Sequence, residues 1–233
     1  MAMTKDDLKK LAAAKAAEQV RSGMALGLGT GSTAKHFINM VGEKYKSGEL
    51  TDLVAIATSV RSVELARSWG IPLVSFDTHP VLDLAVDGAD EIDPQLNLIK
   101  GRGAAMLWEK VVATAAKRFI IISDDSKNVT ILGSLAPVPV EVIPFAADAV
   151  RPYLEGLGCE AILRQNDHGE AVRTDENNVI FDCRFDSIDD PQRLDQLIKQ
   201  RTGVVEHGLF IDMATSAIIA GNGEITVVSR ETE

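Results

Sequence analysis

The sequence predicts an α/β protein, a Rossmann-like parallel-sheet domain with a smaller α+β domain of ferredoxin-like order inserted in it. Three observations predict this. Over about the first 130 residues, short and continuously apolar runs alternate with helical patterns, as strands buried on both faces of a parallel sheet do. From Val138 to Phe210 the order changes to strand, helix, strand, strand, helix, strand. The closing runs Ala217–Ala220 and Glu224–Val228, joined by Gly-Asn-Gly, read as two short strands that return to the first domain. The expected domains are therefore 1–132 plus 211–233, and 133–210.

The elements follow in order. Thr4 with Asp7 resembles a capping box and opens a helix in which Leu8, Leu11, Ala12 and Ala16 share a face. Met24–Gly29 is a buried strand, Thr33–Tyr45 a helix stopped near Gly48, and Leu53–Ala57 a second strand. Val60–Trp69 is amphipathic and ends at Gly70, a helix C-terminal signal. Ile71–Phe76, Leu82–Val86 and Leu96–Ile99 are expected as strands, Ala104–Lys117 as a helix, and Arg118–Ser123 as a strand with an apolar centre. In the second domain the strands are Val138–Ile143, Ala161–Arg164, Val179–Phe185 and Val204–Phe210, with helices Ala146–Leu157 and Pro191–Gln200. Pro152 inside the first of these helices points to a later start.

Composition excludes several function classes. The chain has 233 residues, 45% of them hydrophobic, which is enough for a core without staples. With 34 Asp+Glu against 24 Lys+Arg the formal charge is −10, which argues against nucleic acid as a partner. No apolar run is long enough for a membrane span, and Met1–Lys10 is polar, unlike a signal sequence, so a cytoplasmic location with no membrane partner is expected. Met1-Ala2-Met3 offers two start residues. Cys159 and Cys183 are too few for a disulfide framework and read as buried thiols. His36, His79, His168 and His207 show no metal-ligand spacing.

The chemistry concentrates in three short motifs. Gly27-Leu-Gly-Thr-Gly-Ser-Thr33 lies between a strand and a helix, where glycines allow close backbone approach and a helix N-terminus offers amide donors. The hydroxyls of Thr30, Ser32 and Thr33 suit phosphate oxygens. A phosphate cradle, a tight structural turn and a dinucleotide loop all remain open, the last weakened because Ser32 stands where a third glycine belongs. Asp87-Gly-Ala-Asp-Glu91 follows a buried strand, where open parallel sheets bind ligands. It reads as a binding cluster or a capped loop, and its spacing does not match a calcium-binding hand. Lys100, in Lys100-Gly-Arg-Gly103 after a strand, can bring a cation to a developing enediolate, and Glu109, among Met106, Leu107 and Trp108, is a candidate general base with a raised pKa. Alone, Glu109-Lys110 also reads as a solvated helix face, Lys127 as a surface lysine, and Thr58-Ser59 as either a substrate contact or a helix cap.

In combination these motifs are far more specific. Gly-x-Gly-Thr-Gly-Ser-Thr, Asp-Gly-Ala-Asp-Glu, Lys-Gly-x-Gly-Ala-Ala-x-x-x-Glu-Lys and Ser126-Lys127, in this order, resemble ribose-5-phosphate isomerases of the A type. The resemblance runs over essentially the whole chain, through Pro-Val-Glu-Val-Ile-Pro at 139–144 and Gly-Val-Val-x-x-Gly-Leu-Phe at 203–210. It implies reversible isomerisation of D-ribose 5-phosphate and D-ribulose 5-phosphate through an enediolate, with no metal and no cofactor. It further implies that Thr30, Gly31, Ser32, Thr33, Asp87, Gly88, Ala89, Asp90, Lys100, Gly101, Arg102, Gly103 and Lys127 bind the sugar phosphate, with Lys9 adding charge near the phosphate. Glu109 is implied as the proton acceptor, Asp87 as assisting ring opening and proton movement between oxygens, and Lys100 as the cation. A homodimer or tetramer is also implied. The alternatives are a sugar-phosphate-binding regulator and an amino-sugar phosphate deaminase of similar fold.

Overall fold

A computed structural model describes residues 3–230; residues 1–2, part of the expected start region, and 231–233 lie outside the described residues. The chain forms two compact units. The first takes residues up to Gly88, Trp108–Lys127 and those from Met213 on; the second takes Ala89–Leu107 and Asn128–Asp212.

Thr4 caps α1 (Lys5–Ala17) through the expected box: its amide donates to Asp7 Oδ2 at 3.0 Å and the Asp7 amide donates to Thr4 Oγ1 at 3.2 Å. There follow β1 (Ala25–Leu28), α2 (Ser32–Lys46), β2 (Val54–Ala57), α3 (Val60–Ser68) and β3 (Leu84–Asp87). After β4 (Glu91–Ile92) and β5 (Leu98–Ile99), both in the second unit, come α4 (Met106–Ala115) and β6 (Phe119–Asp124). The second unit continues through β7 (Val138–Val142), α5 (Ala147–Glu155), β8 (Glu160–Leu163), β9 (Val179–Arg184), α6 (Pro191–Lys199), β10 (Val204–His207) and β11 (Leu209–Phe210). The first unit closes with β12 (Ser216–Gly221) and β13 (Glu224–Ser229).

The first unit's sheet has the order β2-β1-β3-β6-β12-β13, parallel except for the antiparallel edge strand β13. Every residue of β1, β3 and β6 is buried, the apolar runs together with the polar residues Asp87, Ser123 and Asp124 at the carboxyl ends of β3 and β6. Leu26, Leu28, Val86, Ile120 and Ile122 pack with Ala12, Ala13 and Ala16 of α1 and Phe37, Ile38 and Val41 of α2. From β1 the chain steps to β2 on one side and to β3 on the other. The topological switch point therefore lies between the carboxyl ends of β1 and β3, where open α/β sheets bind ligands.

The second unit carries a four-stranded antiparallel sheet, β10-β7-β9-β8, and a three-stranded one, β11-β5-β4. Val138, Val140, Val142, Phe181 and Cys183 face a core shared with Val150 and Leu154 of α5 and Leu194 and Ile198 of α6. By strand alternation, Pro139, Glu141 and Asp182 point to the opposite face.

Three expectations change. Ile71–Phe76 is not a strand but a single bridge from Leu73 to Ala55; Pro72 has no amide to donate, so pairing stops after the bonds that flank Leu73. Val204–Phe210 divides into β10 and β11, which join different sheets. The division falls at Gly208, where any Cβ would strike the Lys100 carbonyl oxygen and lie 2.6 Å from Pro139 Cδ. Leu96 has φ +60°, so β5 starts only at Leu98. Pro152 stays inside α5. Among the described residues no helix is long and apolar enough to cross a membrane, and Cys159 and Cys183 are buried free thiols.

Candidate active site

In the first unit the glycine motif is built by close approach. Gly29 follows β1 and donates its amide to the Val86 carbonyl at 3.0 Å; a Cβ there would lie 2.6 Å from Asp87 Cα. Gly31, at φ +106°, turns the chain into α2 and provides no capping side chain for the helix N-terminus. Asp87, at the carboxyl end of β3 and 2% exposed, accepts through Oδ1 from the Thr30 amide at 3.0 Å and from the Gly88 amide at 2.7 Å. Loop and carboxylate are thus a single structure at the switch point. A Cβ at Gly88 would lie 4.0 Å from Thr33 Cβ, so the second motif also reaches the start of α2.

The hydroxyls of the loop have different tasks. Thr30 Oγ1 is turned inward, 2.7 Å from Thr58 Oγ1 and 2.8 Å from Ser59 Oγ. Ser62 Oγ extends this network by donating to the Gly29 carbonyl at 2.7 Å. Thr58 and Ser59 therefore brace the loop, and Ser59 also caps α3 by accepting from the Ser62 amide. Ser32 is exposed, and its Oγ accepts from Lys9 Nζ at 3.0 Å, which brings the suspected Lys9 to the N-terminus of α2. Lys127 is half-buried in the single turn after β6.

Glu109 owes its place to a second glycine. A Cβ on Gly27 would lie 2.5 Å from Val112 Cγ1 and 2.7 Å from Ala85 Cβ, so only glycine lets α4 sit this close to β1 and β3. Glu109 shares the Val112 face of α4, three residues or about 4.5 Å nearer the carboxyl edge of the sheet. It is 4% exposed, not the solvated helix face that its Lys110 neighbour allowed.

In the second unit, Asp90 and Lys100–Gly103 form a compact turn. Lys100 is 2% exposed; its amide donates to the Gly208 carbonyl at 2.9 Å and its Nζ lies 5.4 Å from the Phe210 ring centre. Gly101 (φ +102°) and Ala104 (φ +62°) close the turn through the Ala104 amide to the Gly101 carbonyl, 3.0 Å. Asp90 Oδ2 accepts from the Arg102 amide at 3.0 Å, and the Arg102 side chain is exposed. Glu91, fully buried, clamps a different segment: it accepts from the amides of Gly133 (2.7 Å), Ala136 (2.6 Å) and Leu135. Among the described residues no group of three His, Cys, Asp or Glu side chains is placed to hold a metal ion.

The family model of ribose 5-phosphate isomerase A (phosphoriboisomerase A) matches residues 54–224. The chain belongs to the ribose 5-phosphate isomerase A family. It is an isomerase of ribose 5-phosphate and ribulose 5-phosphate, and neither a regulator nor a deaminase is favoured. The isomerase is 50% identical over 227 residues to probable ribose-5-phosphate isomerase 2 of Arabidopsis thaliana, covering 95% of this chain and 86% of that one. It is 49% identical over 218 residues to ribose-5-phosphate isomerase A of Desulfatibacillum aliphaticivorans, covering 94% and 95%. A solved D-ribose-5-phosphate isomerase in complex with phospho-erythronic acid superposes with a TM-score of 0.95 at 41% identity, over 98% of this chain and all of that one.

Of the residues singled out in the sequence, the first unit of the isomerase carries Thr30–Thr33, Asp87, Gly88, Glu109 and Lys127, and the second Ala89, Asp90 and Lys100–Gly103. Two contributions go beyond the sequence reading. One is the Thr58–Ser59–Ser62 brace behind Thr30, of which only the capping by Ser59 is among the expectations. The other is Arg164, whose Nη1 donates to the carbonyls of Gly101 at 2.9 Å and Arg102 at 3.2 Å. No local motif marks Arg164, because its partners lie more than 60 residues away.

Proposed function

We propose that the isomerase uses Glu109 to take the proton from C2 of ribose 5-phosphate in its ring-opened form and return it to C1, giving ribulose 5-phosphate. Aldose–ketose exchange requires one base serving two adjacent carbons and electrophiles for the oxyanion formed between the two transfers. Lys100 and the amides of Gly101 and Gly103 answer the second need. Asp87 assists ring opening and moves the hydroxyl proton between O1 and O2. Thr30–Thr33, Gly88–Asp90 and Lys127 bind the remainder of the sugar phosphate, with its phosphate at the exposed N-terminus of α2 beside Ser32 and Lys9. Burial of Glu109 keeps water, and so the side reaction of phosphate elimination, away from the enediolate.

The observation that carries this reading is the junction of Gly29, Thr30 and Asp87 at the switch point, with Glu109 buried on the α4 face seated over Gly27. A relative solved with phospho-erythronic acid, a phosphorylated sugar acid, is in keeping with a sugar phosphate at this place. The reading also includes the two domains 1–132 plus 211–233 and 133–210, the second inserted and ferredoxin-like. The 4-1-3-2 order of its antiparallel strands supports that description. Assembly as a homodimer or tetramer and a cytoplasmic location rest on resemblance, and light scattering and fractionation read them.

The test is Glu109→Gln. Its kcat for ribose 5-phosphate is expected to fall by about 100- to 10,000-fold while calorimetry still records substrate binding. Retention of several per cent of the activity would remove Glu109 from the base's role.

A further inference from the structure

We infer that Arg164 is a positioning residue for the reaction: it holds the Lys100–Gly103 turn in the orientation that aims its amides. The inference rests on the reading of that turn as part of the substrate site. Arg164 is itself rigidly mounted. Its backbone is held on both sides, by its amide to the Ile180 carbonyl at 2.8 Å and by the Val172 amide to its carbonyl at 2.9 Å. Its guanidinium is locked by a two-pronged pair with Asp182 of β9, Nε to Oδ2 at 2.9 Å and Nη2 to Oδ1 at 2.5 Å, with the two side chains 14% and 21% exposed. That leaves Nη1 to meet the carbonyls of Gly101 and Arg102.

Two carbonyls bound on one side have a definite consequence on the other. In a trans peptide the C=O and the following N–H point in opposite directions. With the Gly101 carbonyl on Arg164, the Arg102 amide must face away, and there it donates to Asp90 Oδ2. With the Arg102 carbonyl on Arg164, the Gly103 amide is likewise turned to the side away from the guanidinium. Gly101 and Ala104 both occupy positive φ, a conformation this short segment would not keep unaided. Arg164 and Asp90 thus grip the turn from opposite sides, and Asp182 sets the angle of the grip. A lysine carries the charge but not the fork, so it cannot hold Asp182 and both carbonyls together.

The experiment measures kcat and KM for ribose 5-phosphate in R164K, R164M, R164A, D182N and R164M/D182N, with K100M and R173M alongside. Misplaced donors are expected to lower kcat of R164M by about 100-fold and of R164K by about tenfold, with KM changed by less than about threefold. R164M/D182N is expected to match R164M, since Asp182 acts through Arg164. Guanidinium ion at a concentration far below denaturing is expected to restore part of the kcat of R164A, a rescue that a fold-stabilising role would not show. R173M, on an exposed arginine of the same unit, is expected to behave as wild type. An R164M kcat within about threefold of wild type, while K100M is inactive, overturns the role of Arg164 alone. An active K100M overturns the reading of the turn itself.

Discussion

Glu141 shows at the scale of one residue how this fold tolerates a carboxyl group away from water. It is fully buried on β7, with Oε1 accepting from Thr174 Oγ1 at 2.8 Å and Asn178 Nδ2 at 2.9 Å. Oε2 is buried with no hydrogen-bond partner among the described residues. Burial raises its pKa, the two hydrogen bonds oppose the rise, and the charges of Glu176 and Glu206 add to it. A carboxyl whose folded pKa is raised stabilises the fold below its unfolded pKa and loses that contribution as pH climbs through the folded one. Glu141→Gln keeps an acceptor for Thr174 and Asn178 and has no charge to bury. The melting temperature of Glu141→Gln minus that of wild type is therefore expected to grow between about pH 4 and pH 8. A difference independent of pH would show that Glu141 carries no such burden. At this scale the placement of Asp87 at a strand end and the burial of Glu109 were legible because their cues are local, the first a strand end and the second apolar neighbours along a helix. The inward turn of Thr30 was not, because Thr58, Ser59 and Ser62 reach it only through the pairing of β1 with β2. Arg164 was hidden for the same reason, its carboxylate partner being supplied by β9 and its carbonyl partners by a turn far earlier in the sequence.

On the proposed reading, the N-terminus of α2 is where an element, and no single side chain, recognises the phosphate. Gly31 offers the helix no side-chain cap, Ser32 and Gly31 are exposed, and Lys9 of α1 is tied to Ser32 Oγ. Helix dipole, amides, hydroxyls and one ammonium therefore coincide, a combination that favours a phosphate dianion. Each hydroxyl donated to a charged oxygen is worth roughly 1.5 kcal/mol or more, or about tenfold in affinity. Ser32→Ala and Thr33→Ala are thus each expected to raise KM for ribose 5-phosphate about tenfold and to leave kcat within about threefold. An unchanged KM in both would reduce the glycine motif to a turn. Elements with a strong period were legible: α1, α2, α3 and β6 fall within a residue or two of expectation. The errors fall where a partner decides. Pro72 limits an apolar run to one bridge, and Gly208 diverts an apolar run from one sheet to another because the Lys100 backbone lies against it. β4 is two residues long and exists by pairing with β5 and by a bridge from Ile92 to Asn128, which no periodicity can announce.

For the whole molecule the question is how a protein of formal charge −10 handles an anionic substrate. On the proposed reading local fields answer it: the first unit carries Lys9, Lys127 and the α2 N-terminus, and the second carries Lys100 and Arg102. In the acidic run 87–91, one oxygen of Asp87, one of Asp90 and both of Glu91 accept backbone amides. Asp87 takes those of Thr30 and Gly88, Asp90 that of Arg102, and Glu91 those of Gly133, Leu135 and Ala136. Amides at hydrogen-bond distance satisfy a buried carboxylate as a cation would, while fixing the loops that donate them. Binding Mg²⁺ at these oxygens would require breaking those bonds and desolvating an ion that gives up its waters reluctantly. Exhaustive dialysis against EDTA is accordingly expected to leave kcat and KM for ribose 5-phosphate unchanged, with no response to added Mg²⁺. Loss of activity that Mg²⁺ restores would mean that these carboxylates exchange their amide donors for a cation in the working enzyme, and the role of Asp87 in proton movement would then have to be reassigned.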